Sequence, residues 1–141
     1  MIIISMLNDF QLHEQLKNDT YLIKDLTLSK LLLMNNSLFP WVILVPKRSN
    51  VTEIIDLNEE DRITLTNEIA LVSKIIKTVL EPDKLNIAAL GNIVEQLHIH
   101  IIARYKDDSL WPKPVFGCNK QEYTLEQKQK IITKLQENFN G

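Results

Sequence analysis

Glycine, histidine and cysteine are scarce in this chain: 141 residues contain 3 Gly, 3 His and 1 Cys. Gly91, Gly117 and Gly141 stand far apart, so neither a Walker loop nor a G-x-G-x-x-G turn can be written anywhere. Any phosphate held here is held without a glycine cradle. The lone Cys118 excludes an intrachain disulfide and a Cys-rich zinc module, and it fits a reducing compartment. Long apolar runs are missing too. The stretch Met1–Leu7 is interrupted by Ser5 and lacks a basic flank, so it reads as a first strand or arm rather than a membrane span or signal peptide. Lys plus Arg total 16 against 18 acidic residues, for a formal net charge of −2. The cations are scattered apart from Lys47-Arg48, so the electrostatic footprint of a polymeric nucleic-acid binder is absent. Small anionic ligands need only local donors and stay admissible. The composition describes a soluble, cytoplasmic protein with no membrane partner.

What is present is one domain's worth of material, 1–141. With 45% hydrophobic residues, a chain of this size buries about 68–70% of its unfolded surface. No repeat, low-complexity tract or linker divides it. Leu12 and Leu16, four apart, suggest a short helix over Phe10–Asn18. Tyr21–Leu26 and Ser29–Met34 read as extended, Asn35-Asn36-Ser37 as a turn, and Trp41–Val45 as an apolar run ended by Pro46. These predict an antiparallel meander. A long helix follows over Glu59–Leu80, with Asn58 as cap and Glu59, Glu60 and Asp61 in its first turn. Leu65, Ile69, Val72, Ile76 and Val79 form one stripe that should lie on a sheet, and Pro82 stops the helix. Lys84–Leu90 and Gln96–Arg104 read as strands. A final helix starts at Thr124 with Gln127 completing a capping box, and Leu125, Ile132, Leu135 and Phe139 as its core-facing residues. That order of elements gives an α+β fold: an antiparallel sheet of five strands, the long helix on one face, and a C-terminal helix.

The segment Gln96-Leu97-His98-Ile99-His100-Ile101-Ile102 alternates with period two. Leu97, Ile99 and Ile101 should face the core, and Gln96, His98 and His100 the other side. Two of the three histidines therefore stand next to each other on one strand face, about 7 Å apart. Three readings suit this arrangement. It is a solvated strand face that carries imidazoles, or two ligands of a zinc site completed by Asp107 or Asp108. Alternatively, it is a nucleophile and its neighbour, since a neutral imidazole attacks phosphorus well when one nitrogen is free and the other is tied to an acceptor. No second ligand cluster accompanies the pair, as His13 and Cys118 are isolated in sequence, so no metal is assigned.

The stretch Gln96–Ile102 resembles the signature His-φ-His-φ-His-φ-φ, with φ apolar, of the histidine triad (HIT) superfamily of nucleotide hydrolases and transferases. Gln96 occupies its first His position. Further likeness to a bacterial branch with diadenosine polyphosphate hydrolases lies in Leu31-Leu32-Leu33-Met34-Asn35, Pro40–Pro46, Asp83–Asn86 and Ala88–Asn92. It continues in Ile101–Arg104 and Trp111-Pro112-x-Pro114. The likeness spans roughly residues 10–117, in order, and leaves 118–141 as a C-terminal helical extension.

By that resemblance, His98 is the nucleophile that attacks a nucleotide α-phosphate, forming a nucleotidyl-histidine that water breaks. The main-chain carbonyl of Gln96 orients it, and His100 contacts the phosphate. Asn35 matches a ribose-contacting Asn, and Asn92, after Gly91, matches polar residues that contact phosphate. Arg104, at the end of its strand, is a further candidate for a phosphate. Trp41 lies where many members carry Gly-His, so an accessory His is absent, and Trp41 and Trp111 read as packing residues. Gln96 cannot give up a proton, which favours substrates whose leaving group departs as an anion. Dinucleoside polyphosphates meet that need, and aminoacyl-type phosphoramidates do not. The expected function is thus hydrolysis or transfer at a nucleoside polyphosphate without a cofactor, in a homodimer. The alternative is a nucleotide-binding module with little turnover.

Overall fold

The computed structural model describes residues 9–140, and the expected first strand or arm at Met1–Leu7 lies outside them. A short helix α1 (Glu14–Asp19) leads into β1 (Thr20–Asp25), β2 (Ser29–Met34) and β3 (Trp41–Pro46). A 3-10 turn at Ile54–Asp56 precedes the long helix α2 (Glu59–Leu80). After it come β4 (Lys84–Ala89), β5 (Ile99–Arg104) and the C-terminal helix α3 (Leu125–Glu137). The strands form one antiparallel sheet in the order β1-β2-β3-β5-β4, so the last strand in sequence is inserted between β3 and β4. β3 and β5 are buried along their whole length.

The two sheet faces are closed differently. On one, Leu31, Leu33, Val42, Leu44, Ile99 and Ile101 meet α2 through Leu65, Val72, Ile75 and Ile76, and meet α3 through Leu135. On the other, Leu32, Ile43, Val45 and Ile102 meet Leu16, Phe39, Trp41, Val94 and Val115, which belong mainly to loops and the N-terminal segment. The cap of α2 is as expected: Asn58 Oδ1 accepts from Asp61 N–H at 2.8 Å. Glu81 then adopts a left-handed φ of 48° just before Pro82. Lys47 and Arg48 are not a free basic pair, since they bond to Asp25 and Asp61.

α3 begins at the Thr124–Gln127 capping box. Leu125, expected in the core, is 74% exposed. At the first turn of α3 the stripe has not yet reached the sheet, and burial falls on Leu135 instead. α1 is also shorter than expected. His13, not Phe10, is its boundary, because its Nδ1 accepts from Gln15 N–H at 3.0 Å and caps the helix.

Candidate active site

The strand expected over Gln96–Arg104 pairs only from Ile99. Leu44 faces Ile99, and continuing that register would set Pro46 against Leu97, where Pro46 has no N–H to donate. Leu97 N–H donates instead to Val51 O at 3.0 Å, across the chain that follows β3. Gln96, Leu97 and His98 therefore leave the ladder while keeping its alternation. Leu97 joins the helix-side core with Ile99 and Ile101, and His98 and His100 lie on the other face.

That face is not solvated. Both histidines are 5% exposed, with ring centroids 4.7 Å apart at 73°. Phe116 lies 5.0 Å from His100 and 5.6 Å from Trp41. His98 Nδ1 sits 2.7 Å from the main-chain O of Gln96. A carbonyl only accepts, so Nδ1 carries the proton and Nε2 keeps its lone pair. His100 is set the opposite way. The indole Nε1–H of Trp41, a donor only, reaches His100 Nδ1 at 3.0 Å. The proton of the neutral His100 ring is then on Nε2, which lies 3.4 Å from Leu90 O. Burial disfavours charge on both rings. It lowers the His98 pKa below 6.5 against the Gln96 hydrogen bond, with a charge on His13 acting in the same direction. It also brings His100 down to about 4, helped by His98.

His98 opens onto a cavity of about 420 Å³ whose wall includes Thr52, Glu53, Gly91, Asn92 and Glu95. No Lys or Arg lines it. Gly91 is required there by space, since a Cβ would stand 2.8 Å from the main-chain O of Val94 and 3.8 Å from His98 Cε1. Asn92 and His98 line this one cavity. Gln96 contributes more than its carbonyl: its side-chain Oε1 accepts from His13 N–H at 2.9 Å, and its Nε2 donates to Gln11 O at 2.9 Å.

Two residues expected to contact nucleotide make side-chain hydrogen bonds within the protein. Arg104 is 1% exposed. Its Nε and Nη2 donate to Asp108 at 2.7 and 3.0 Å and its Nη1 to Asn86 at 2.9 Å. It stacks near Phe39 and Trp111, so it is a buried structural cation and not a phosphate ligand. Asp108, one of the two carboxylates weighed as a zinc ligand, is its partner. Asn35 is 7% exposed, and its Oδ1 accepts from Tyr123 N–H at 3.0 Å, fixing the segment before α3. The neighbouring Asn36, not Asn35, lines a cavity with Trp41, Gly117 and Cys118. Among the described residues no group of three His, Cys, Asp or Glu is placed to hold a metal ion. No helix among them is long and apolar enough to cross a membrane.

Trp41 is the functional residue that sequence reasoning missed. Trp41 faces Ile102 across the β3–β5 ladder, which makes His100 its diagonal neighbour, within reach of a long side chain. Once the strands are paired this is readable, but 59 positions separate the two residues in sequence.

Residues 15–107 match the family model of the HIT domain. A histidine triad protein from Bradyrhizobium japonicum is 45% identical, with a TM-score of 0.90, over 92% of this chain and 97% of that one. Histidine triad proteins from Marinobacter aquaeolei VT8 and Sinorhizobium meliloti 1021 are 43% and 39% identical, with TM-scores of 0.90 and 0.91. They cover 93% and 94% of this chain, and 96% and 98% of their own. No curated protein matches the sequence. With the sheet order, the paired imidazoles and these relatives in agreement, the chain belongs to the HIT domain family, whose fold serves nucleotide binding and nucleotide hydrolysis or transfer.

Proposed function

We propose that the protein cleaves nucleoside polyphosphates at the α-phosphate, with His98 as nucleophile and dinucleoside polyphosphates as the substrate class. The observation that carries this is the 2.7 Å contact from His98 Nδ1 to Gln96 O. It fixes the ring proton on Nδ1 and leaves the unshared electron pair on Nε2, on a residue that lines an open cavity. The Nε2 lone pair forms a bond to the α-phosphorus. The bond from that phosphorus to the bridging oxygen breaks, and its electrons leave with the nucleoside polyphosphate. Nδ1 keeps its proton throughout, so the Gln96 carbonyl stabilises the cationic ring of the intermediate. Water then attacks phosphorus, the N–P electrons return to Nε2, and the water proton passes to solvent. His100, with its proton on Nε2, donates to a non-bridging oxygen, and Asn92 supplies a neutral donor at the cavity wall.

The leaving polyphosphate is stable as an anion, so the missing acid at Gln96 costs little for this class. The amine of a phosphoramidate needs a proton, and a positioned acid is worth roughly 10²–10⁴-fold. Incubation with α-³²P-labelled diadenosine tetraphosphate should give an acid-labile label on the wild type and none on His98→Ala, with release of labelled nucleotide. Diadenosine tetraphosphate should turn over faster than an adenosine phosphoramidate. Nucleotide bound without label or hydrolysis would instead identify a binding module, the reading favoured by the non-titrating side chain of Gln96. We also read the protein as a homodimer. β4 is an edge strand, and Ile87 on it is 47% exposed, which suits pairing with a second copy.

A further inference from the structure

The absence of a histidine at position 96 has a structural counterpart 83 residues earlier in the chain. The Gln96 carboxamide uses both of its ends on the N-terminal segment: Oε1 takes the N–H of His13, and Nε2 gives a hydrogen to the carbonyl of Gln11, each at 2.9 Å. An amide has an acceptor and a donor side by side and so can hold two main-chain groups of one extended segment at once. A single imidazole has its two ring nitrogens on opposite edges and cannot. The segment so held carries His13, the third histidine of the protein.

His13 lines a cavity of about 390 Å³ together with Thr52, Asn92, Glu95 and Gln96. Thr52, Asn92 and Glu95 also line the cavity onto which His98 opens. The two cavities adjoin along these shared residues, one lined by His98 and the other by His13, and are taken together as a groove. The His13 ring also has a defined tautomer. Its Nδ1 accepts the helix-capping bond from Gln15 N–H at 3.0 Å. The proton therefore sits on Nε2, which has no hydrogen-bond partner among the described residues.

From this we infer that Gln96 is a clamp that delivers His13 to the groove, where His13 Nε2–H donates a hydrogen bond to the departing phosphate chain. This rests on the reading of His98 as nucleophile. The hydrogen bond needs no proton transfer. The electrons of the broken P–O bond stay with the leaving polyphosphate, and His13 stabilises that charge as a neutral donor.

The test uses full-length protein and α-³²P-labelled diadenosine tetraphosphate. His13→Asn keeps a good helix cap, because Asn accepts at this position as well as any residue, and it removes the imidazole donor. A hydrogen bond to a charged group is worth enough to slow the labelling of His98 by about 10- to 100-fold in a single turnover. KM and the hydrolysis of isolated labelled protein should change little. Gln96→His restores the family's first histidine but releases the clamp, and it should slow labelling by a similar factor. Thermal melting by circular dichroism checks that both variants fold, and His13→Asn decides the matter if Gln96→His does not. Labelling in the wild type with an unimpaired His13→Asn, or a Gln96→His faster than wild type, overturns the clamp alone. No labelling in the wild type overturns the nucleophile and the clamp together.

Discussion

Trp41 Nε1 and the main-chain O of Gln96 meet the Nδ1 atoms of adjacent rings, the first as a donor and the second as an acceptor. The same side chain thereby presents an unshared electron pair on Nε2 at His98 and a hydrogen-bond donor there at His100. Trp41→Phe retains an aromatic ring against Phe116 but leaves a buried His100 acceptor without its donor. Such an orphan costs about 1–3 kcal/mol, to be read from urea unfolding. Labelling of His98 should slow by roughly tenfold as the His100 proton ceases to be fixed on Nε2. The pH dependence follows from burial. In the proposed reaction His98 attacks as the neutral ring, and burial lowers its pKa from the ordinary imidazole value, so the rate should fall at a more acid pH than an exposed histidine would set. Stability moves the same way. The folded His100 titrates at about 4, whereas in the unfolded chain it titrates near 6.5. Between those values the unfolded state takes up a proton that the folded state refuses. The contribution is complete above pH 6.5 and is lost as the pH falls toward 4, which urea midpoints at pH 7 and pH 5 will report.

Elements were legible where periodicity and chain-local chemistry decide them. The helix at Glu59–Leu80, its Asn58 cap and the Thr124–Gln127 box all follow from bonds spanning only a few residues. So does the alternation that puts His98 and His100 on one face. What sequence could not show is partnership across the fold. Arg104 has the same composition as a phosphate ligand, and only the β4–β5 pairing and the turn after β5 reveal Asn86 and Asp108 around it. Asn35 has the turn chemistry expected of it, yet its side chain is taken by Tyr123, 88 residues away. The start of β5 was placed three residues early because the ladder ends at Pro46, a fact that belongs to a different strand. Arg104 ties β5, β4 and the following loop into one unit. Asp108→Ala should therefore leave an uncompensated guanidinium in the interior and cost about 3–5 kcal/mol, visible as a large fall in melting temperature.

At the scale of the whole molecule, a net charge of −2 and a cavity beside His98 lined by Glu53 and Glu95 but no Lys or Arg would set the terms for the proposed anionic substrate. In the proposed reaction neutral donors take the place of cations, and the two carboxylates oppose binding of the polyphosphate. Glu53→Gln removes one like charge and should lower KM for diadenosine tetraphosphate by about 2- to 5-fold with kcat little changed. The sheet order has its own consequence, felt during synthesis. β5 is the last strand to leave the ribosome and belongs between two strands already made. A nascent chain ending before Gln96 holds the β1–β3 meander, α2 and β4, but β3 and β4 have no partner between them. The long-range pairing that closes the sheet waits for the segment that carries His98 and His100. Truncated chains therefore lack both the strand that joins β4 to the rest of the sheet and the histidine pair, and the two are completed in the same step.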